Sequence, residues 1–307
     1  MDFYILDTRE VWWKPAIAAA ERHGHKGKRI FRGSEVKGEG IGFIRPHAEP
    51  NELRINKAED DPAMRQKLLM IQDSAQVEVY EDKSEQFRRW GKWLPYTVRS
   101  TSEEEALDAL PQFFEVSAGV VSKADVGASS RNVLVFTKLA DAQKHVRQIF
   151  REGWSVNHCT GGNKHLSLQK DHVLLQEFVP KNEFTWRVNR IGDYYCIFQR
   201  YNYPDKPVAM TGNTKPLEQM TELGLQAIEF SLAVTEDIGT KWVALDLVYG
   251  NGDFHLLETS LAWPWPGAAG CQHSPFWTAD GERSPYAFPD MFDIPFIQIE
   301  EGTWASQ

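Results

Sequence analysis

The chain contains 307 residues, of which 42% are hydrophobic and 25% are charged, a composition typical of globular proteins. Its 43 acidic residues outnumber 34 basic ones, and the formal net charge of −9 argues against general nucleic-acid binding. No apolar run reaches the roughly 18 residues of a membrane-spanning helix, and the opening MDFYILDTREVWW carries acids inside its apolar run, unlike a signal peptide.

The first 80 residues alternate between short apolar runs and segments with helical spacing. The predicted strands are FYIL, KRIFRG, IGFIRP and AQVEVYED, and the predicted helices are KPAIAAAERHG and DPAMRQKLLMIQD. This order favours a small parallel sheet. Residues 1–78 are therefore predicted to form an N-terminal α/β domain.

The next part of the chain mixes strands and helices in a different order. Ser102 followed by Glu105 forms a capping box that predicts the start of a helix. Further helices are predicted at DKSEQFRRWGKW and KLADAQKHVRQIFREG, and strands at LPYTVRS, AGVVSKA and NVLVFT.

The remaining segments predict a strand-rich region with one long helix. The strands are HVLLQEFVP, TWRVNRIG, DYYCIFQRYN and the two halves of KWVALDLVYGNGDFHLLETS, and the helix is LEQMTELGLQAIEFSLAVTEDIG. Gly192-Asp193 predicts a tight turn between two of these strands. The last forty residues are rich in Pro, Trp and Phe and receive no assignment.

The three cysteines, Cys159, Cys196 and Cys271, are far apart and form no CxxC pair. A disulfide framework or a thiolate zinc site is therefore not expected. We expect instead that the protein lies in a reducing, cytoplasmic compartment. A local basic stretch, residues 22–32, has two interpretations: a solvated turn, or a dock for an acidic or phosphorylated substrate. Arg45 also favours an anionic substrate.

Lys123 ends an apolar run and precedes a loop of small residues that contains Gly127, Ser129 and Ser130. Backbone N–H groups of such a loop can hold phosphate while the lysine adds a positive charge. The lysine precedes the glycine, so this is not a Walker A loop. The alternative is a hairpin with a solvated lysine.

Asp246 and Glu258 lie on two predicted strands joined around Asn251-Gly252. A strict two-residue turn would pair Asp246 with Leu257, whereas a three-residue loop would place Asp246 opposite Glu258. Like charges that face each other in a sheet are unfavourable, and a divalent cation such as Mg²⁺ would remove that cost. The alternative is two edge acids that face water.

Two further groups have binding and structural interpretations. A predicted chain crossing is flanked by Gln176, Glu177 and Glu183. There, backbone groups could pair with adenine and a carboxylate could bind ribose. The alternative is a plain loop. Arg187 and Arg200 lie on adjacent strands, an arrangement suited to a phosphate or carboxylate between them, unless nearby acids pair with them.

The order of these groups along the chain resembles that of the ATP-grasp superfamily. LLQEFVP and TWRVNRIGDYYCIFQR are similar to the hinge and strand pair of the ribosomal-protein-modifying glutamate ligases, and NEFT to the hinge exit of D-alanine–D-alanine ligases. ALDLVYGNGDFHLLETS resembles the metal-bearing strands, and EDKSEQF the segment with the first ATP lysine. The resemblance covers residues 80–266. The short N-terminal domain is similar to that of small phage-type members.

The resemblance implies an α/β fold in which the N-terminal domain is followed by an ATP-grasp domain, residues 79–307. Its two α+β subdomains, the lysine and flap subdomain 79–172 and the hinge and metal subdomain 173–307, would clasp ATP. The implied ATP-binding residues are Lys83, Lys123, Gly127, Ser129, Ser130, Gln176, Glu177, Val179 and Glu183. The implied catalytic residues are Arg187 and Arg200, and the implied metal ligands are Asp246, Glu258 and Ser260.

The implied activity is ATP-dependent joining of a small-molecule or peptide carboxylate to an amine or other nucleophile, through an acyl phosphate with Mg²⁺ or Mn²⁺. A small-molecule kinase and a nucleotide-binding module that has lost catalysis are the alternatives. The family usually has asparagine where this chain has Ser260, and Asn213 is a candidate replacement. The sequence indicates no oligomeric state.

Overall fold

The computed structural model describes residues 1–7, 10–45, 58–80, 82–126, 132–157, 166–204, 206–261, 274–287 and 291–304. Gly127, Ser129 and Ser130 of the predicted phosphate loop lie outside these ranges. Within them, none of the helices combines the length and the apolar character needed to cross a membrane.

The N-terminal region forms a four-stranded parallel sheet in the order β2-β1-β3-β4. Helix α1 packs on β1 and β2, and α2 packs beside β4. The predicted N-terminal parallel α/β unit is therefore confirmed. The bounds are β1 Asp2–Leu6, α1 Glu10–Arg22, β2 Lys26–Ile30, β3 Gly40–Ile44, α2 Asp60–Arg65 and β4 Leu68–Met70.

Two predictions in this region are wrong. The single helix predicted over residues 61–73 ends at Arg65, and Leu68–Met70 instead pairs with β3 as an edge strand. The strand predicted at residues 75–82 is helix α3, Ser74–Val79, because the Asp73 side chain accepts a hydrogen bond from the Gln76 N–H and caps its first turn. Local capping and sheet pairing outweigh hydrophobic spacing in these short segments.

The basic stretch 22–32 spans the end of α1 and all of β2, and nearby acids neutralise much of its charge. Arg22 forms a two-point contact with Asp293, and Lys28 pairs with Asp2. These ion pairs favour a structural role for the stretch over a dock for an acidic substrate.

The second sheet is antiparallel, in the order β5-β10-β6-β7, and helices α5 and α6 cover one face. The Ser102 hydroxyl accepts a hydrogen bond from the Glu105 N–H, which confirms the predicted cap. A short hairpin, β8-β9, lies beside this sheet. The bounds are α4 Lys83–Trp90, β5 Thr97–Ser100, α5 Glu103–Val116, β6 Val120–Lys123, β7 Val133–Phe136, α6 Leu139–Arg151, β8 Trp154–Asn157, β9 Leu166–Gln169 and β10 Val173–Glu177.

The third sheet has seven strands in the order β15-β14-β11-β12-β16-β17, with β13 also paired to β12. Their bounds are β11 Phe184–Ile191, β12 Tyr194–Tyr203, β13 Lys206–Pro216, β14 Trp242–Gly250, β15 Asp253–Ser260, β16 Pro275–Trp277 and β17 Arg283–Ala287. The two remaining helices are α7 Glu222–Asp237 and α8 Asp293–Glu300.

The two faces of this large sheet have different partners. Val188, Leu245 and their neighbours pack under α7, as in a conventional sheet-and-helix core. On the opposite face, Trp242 and Ala244 join one continuous core with the N-terminal sheet and α8. Arg187 and Asp246 occupy this second face, further along the strands, because residues two or four positions apart share a face. The charged residues therefore lie beyond the apolar contact with the N-terminal unit.

The predicted boundary between residues 78 and 79 falls at the end of α3, and the one between residues 172 and 173 falls between β9 and β10. Because β10 pairs with β5 and β6, the segment after the second boundary completes the second sheet before the chain enters the third. The division into subdomains at these positions remains a prediction.

Candidate functional site

The hairpin β14-β15 contains a two-residue turn, Asn251-Gly252, in which both residues have positive φ values of 56° and 93°. From the turn the pairing is regular as far as Leu247 opposite Leu256, and a bulge at Leu257 then shifts the register. Asp246 is consequently opposite Glu258. The structure combines the tight turn of one sequence interpretation with the carboxylate pair of the other, because the bulge supplies the extra residue.

Asp246 is at the centre of a row of charged side chains across three strands. It pairs with Glu258 on one side and with Arg187 on the other. Arg187 Nε lies 2.8 Å from Asp246 Oδ1, and Arg200 Nη1 lies 2.8 Å from Oδ2. The arginines therefore offset the repulsion between the two carboxylates.

Burial and charge compete at this row. Burial would raise the pKa of Asp246, but the positive charges of Arg187 and Arg200 outweigh it and hold the pKa below its usual value. Burial lowers the pKa of Arg187, whereas Asp246 raises that of Arg200. Asp246 is therefore a fixed negative charge at neutral pH.

Two lysines approach the same carboxylates from the second sheet and from α4. Lys83 Nζ lies 3.5 Å from Glu258 Oε2, and Lys123 Nζ donates a 3.1 Å hydrogen bond to the carbonyl oxygen of Leu257, the bulged residue. The pKa of Lys123 is lowered to about 8, chiefly by burial; the Glu258 carboxylate opposes this shift and the nearby Lys83 charge adds to it. Four cations thus surround two carboxylates, which leaves an excess of positive charge.

These groups lie around one cavity between the second and third sheets. Lys83, Lys123, Arg200, Asp246 and Glu258 line its charged end. The rest of the lining comes from the end of β10 and the chain after it, Gln176, Glu177, Phe178 and Val179. It also includes the apolar side chains of Val121, Val133, Val135, Val208 and Val248. A cavity with an apolar slot and a cationic end suits a ligand with a flat ring and an anionic tail.

No family model and no curated protein matches this chain. Solved structures do match it. D-cycloserine synthetase DcsG aligns with a TM-score of 0.62 at 16% identity, over 99% of each chain. The RimK domain ATP-grasp protein of Sphaerobacter thermophilus aligns with a TM-score of 0.53 at 18% identity, over 85% of this chain and 91% of the other. ATP-grasp ligase PsnB, in complex with a minimal precursor, Mg and ADP, aligns with a TM-score of 0.54 at 12% identity, over 87% and 90%.

The chain has the ATP-grasp fold. The resemblance read from the order of the sequence motifs is thereby confirmed at the level of fold.

Some of the site residues predicted from the sequence do not line this cavity. Among the described residues, Arg187, Glu183 and Ser260 are absent from its lining. Arg187 lies behind Asp246; Glu183 is exposed, and its carbonyl oxygen accepts the Asn202 N–H. Ser260 pairs with Ala244 on the side of the carboxylate pair away from the turn.

Asn213 is absent from the cavity lining. It lies next to the Arg200–Thr214 pair, in a segment of β13 where the register with β12 shifts. Its role as a replacement for Ser260 remains a prediction without support from this placement.

Five of the described polar residues line the cavity although the sequence analysis did not single them out: Asn132, Lys181, Asn182, Thr185 and Asn202. Asn132 donates from Nδ2 to the Val126 carbonyl across the base of the loop, and Thr185 and Asn202 lie near Arg200. Nothing in the local sequence marks these residues, since each is an ordinary polar position in or beside a strand. Their place in the site follows only from sheet pairing.

The carboxylate pair suits magnesium. Mg²⁺ binds through one or two carboxylates together with phosphate oxygens and water, and the described residues contain no group of three His, Cys, Asp or Glu side chains that could hold a metal alone. Asp246 Oδ1 is buried and forms no aligned hydrogen bond, although Arg187 Nε faces it. An acceptor of this kind, beside Glu258, is a suitable ligand for a metal that arrives with a nucleotide.

Proposed function

We propose that this protein is an ATP-dependent ligase that activates a carboxylate as an acyl phosphate and joins it to an amine or another nucleophile. The observation that supports this most strongly is the convergence of Lys83, Lys123 and Arg200 with Asp246 and Glu258 around one cavity. These side chains come from α4, from two sheets and from four different strands. Such a set of opposite charges suits a metal-bound triphosphate better than any single charged ligand.

The nucleotide would lie with its base in the apolar part of the cavity, between the valines of β6 and β7 and the chain after β10. Backbone groups of Glu177 and Val179 would pair with the adenine edge, as the family resemblance implies. Glu183 is exposed at the entrance to β11, and a side-chain rotation would be needed for it to reach the ribose.

The phosphates would lie at the charged end. Lys83 and Lys123 would bind their oxygens, and Asp246 and Glu258 would hold Mg²⁺, which when bound neutralises phosphate charge. Arg200 would stabilise the negative charge that develops on the transferred phosphoryl group and later on the carbonyl oxygen of the tetrahedral intermediate. Arg187 would hold Asp246 in place from behind.

The substrate carboxylate would attack the terminal phosphorus, and ADP would leave. The nucleophile would then attack the acyl carbon, and inorganic phosphate would leave with the bonding electrons. No side-chain nucleophile is required for either step. The chain's own contribution is positioning and charge neutralisation.

Both a small molecule and a peptide are suitable carboxylate substrates for this proposal. D-cycloserine synthetase and the precursor-bound PsnB represent the two sizes among the matched structures. The cationic excess of the site favours substrates that carry a carboxylate, since the acyl phosphate adds further negative charge.

Hydroxylamine trapping tests the proposed chemistry. An acyl phosphate reacts with hydroxylamine to give a hydroxamate, so incubation with ATP, Mg²⁺, hydroxylamine and a panel of amino acids and short peptides should yield ADP and hydroxamate in equal amounts. A small-molecule kinase would instead yield ADP and a stable phosphoester. ATP binding with no ADP across the whole panel would favour a module that has lost catalysis.

A further inference from the structure

Asp125 lies two residues after Lys123, just beyond the end of β6, and it contacts α4, β9 and the segment between β9 and β10. Its carbonyl oxygen accepts the Lys83 N–H at 2.9 Å, and its own N–H donates to Gln169 Oε1 at 2.9 Å. Its carboxylate accepts from the Ser84 hydroxyl and from His172 Nε2, the latter at 2.6 Å. The backbone N–H, the backbone carbonyl and both carboxylate oxygens of Asp125 thus all form hydrogen bonds.

The contacts of Asp125 extend into a closed network. Gln169 Nε2 donates to the His172 carbonyl oxygen, and Arg99 Nε donates to the Ser84 hydroxyl oxygen at 3.0 Å. The network therefore links the first turn of α4 to β5, to the end of β6 and to the connection between β9 and β10. Nothing in the proposed chemistry uses any of these side chains directly.

His172 connects Asp125 to the chain just before β10. Its Nδ1 lies 3.1 Å from the Lys170 carbonyl oxygen, and its Nε2 lies 2.6 Å from the Asp125 carboxylate. The imidazole ring therefore bridges Asp125 and the segment between β9 and β10.

We infer that Asp125 is a positioning residue that fixes the spacing of the two phosphate-binding lysines. Lys83 and Lys123 repel each other, yet both ammonium groups lie close to Glu258 and its neighbour Leu257. Asp125 joins the backbone of Lys83 directly and is only two residues from Lys123. The Asp125 carboxylate adds a second link to α4 through the Ser84 hydroxyl. Loss of the carboxylate would leave the backbone bond alone to hold α4 against β6, and the two charges that must meet one triphosphate would be less firmly placed.

This inference rests on the proposed function, because it assigns Asp125 a role in nucleotide binding at the same cavity. The decisive variant is Asp125→Ala, and Asp125→Asn is the conservative rescue. The Asn side chain can accept from the Ser84 hydroxyl and donate to His172 Nε2, so it can keep both side-chain contacts while it removes the negative charge of Asp125. Asp237→Ala is the matched control, since Asp237 binds Lys92 and Trp93 just beyond α4 and does not line the cavity.

The measurement is the Kd of the non-hydrolysable analogue AMPPNP with Mg²⁺, by isothermal titration calorimetry, alongside Tm for every variant. Asp125→Ala should raise the Kd about tenfold, as expected for the loss of the two side-chain hydrogen bonds that hold a binding group in place. Asp125→Asn and Asp237→Ala should remain within about threefold of wild type. In a Lys83→Ala background, Asp125→Ala should add little, because the residue through which it acts is gone.

The inference is overturned if Asp125→Ala binds AMPPNP as tightly as wild type, or if Asp237→Ala weakens binding equally. If Asp125→Ala does not fold, His172→Ala decides the question. It removes one carboxylate contact and should raise the Kd about threefold to tenfold, whereas an unchanged Kd would overturn the inference. A wild-type protein that binds no nucleotide would contradict the proposed function itself, which is a different outcome from the variant results.

Discussion

Asp246 accepts contacts from two arginines and also faces Glu258, so its replacement is expected to have two effects. Asp246→Ala should abolish ATP turnover, and it should lower the free energy of unfolding by about 3–5 kcal/mol because Arg187 and Arg200 are left as buried charges without a counter-ion. Glu258→Gln should abolish turnover with a much smaller change in stability, since the Glu258 side chain is 33% exposed. Coupled ADP assays and urea denaturation measure the two quantities.

Near wild-type turnover in both variants would contradict the site assignment. A loss of turnover in Asp246→Ala that is accompanied by unfolding at assay temperature would not separate the two effects, so the Glu258→Gln result carries the chemical part of the test.

The pKa of Lys123, about 8, makes nucleotide affinity depend on pH. The pKa is depressed, so the ammonium charge is present below pH 8 and is lost as the pH rises through that value. Between pH 7 and pH 9 the Kd for AMPPNP with Mg²⁺ should rise about tenfold. Lys123→Arg keeps its charge over this range, so its Kd should change little. Titration calorimetry at three pH values compares the two slopes, and equal slopes would contradict the assignment.

The charged residues that meet at the cavity were easier to predict than the polar residues beside them. Their order along the chain is distinctive, and it indicated that Lys83, Lys123, Asp246 and Glu258 would lie together. Asn132 and Asn202 could not, since a polar residue in a strand has no local signal for what lies across from it. Strand pairing between distant segments decides which of these residues reach the cavity.

At the scale of elements, the edge of the third sheet is completed by a side chain. Gln86 of α4 accepts the Thr259 N–H at 2.9 Å and donates to the Thr259 carbonyl at 3.1 Å. The amide thus replaces a missing strand next to Glu258. Gln86→Ala would leave both backbone groups buried without a partner and should lower the free energy of unfolding by about 2–3 kcal/mol.

Urea denaturation measures this loss. Gln112→Ala is the matched control, because Gln112 is exposed and binds only the Tyr96 hydroxyl among the described contacts. Its expected change is within about 0.5 kcal/mol. Equal losses of unfolding free energy in the two variants would contradict a stabilising role for the contacts between Gln86 and Thr259.

The sequence predicted the long and strongly periodic elements better than the short ones. The hairpin of β14 and β15 illustrates the limit: Asn251-Gly252 indicates the turn, but the bulge at Leu257 has no sequence signal. Because that bulge sets Asp246 opposite Glu258 and turns a carbonyl oxygen towards Lys123, the geometry of the site depends on a feature that only the structure reveals.

At the scale of the whole molecule, the N-terminal unit and the third sheet share one core. Trp242 is fully buried there, with ring contacts to Phe43 at 5.2 Å and to Phe292 at 5.9 Å. Trp242→Ala should therefore lower the free energy of unfolding by about 3–5 kcal/mol. Differential scanning calorimetry should show residues 1–78 and the third sheet unfolding in one transition.

Two separated transitions in the wild type would contradict a shared core, as would a Trp242→Ala variant with an unchanged Tm. The shared core also explains why a parallel α/β arrangement near the N-terminus could be predicted but its packing could not. The strand–helix order of residues 1–70 is a local pattern, whereas the residues that cover its sheet, such as Phe296 of α8, come from the far end of the chain.

The central claim is that one metal-bound nucleotide lies between the two lysines and the two carboxylates. A crystal structure of the protein with AMPPNP and Mn²⁺ tests it most directly, because the anomalous signal of manganese locates the metal independently of the nucleotide density. We expect a manganese peak in contact with Asp246 and Glu258, and phosphate density between it and the side chains of Lys83 and Lys123. Nucleotide bound elsewhere, or a manganese peak remote from both carboxylates, would contradict the account.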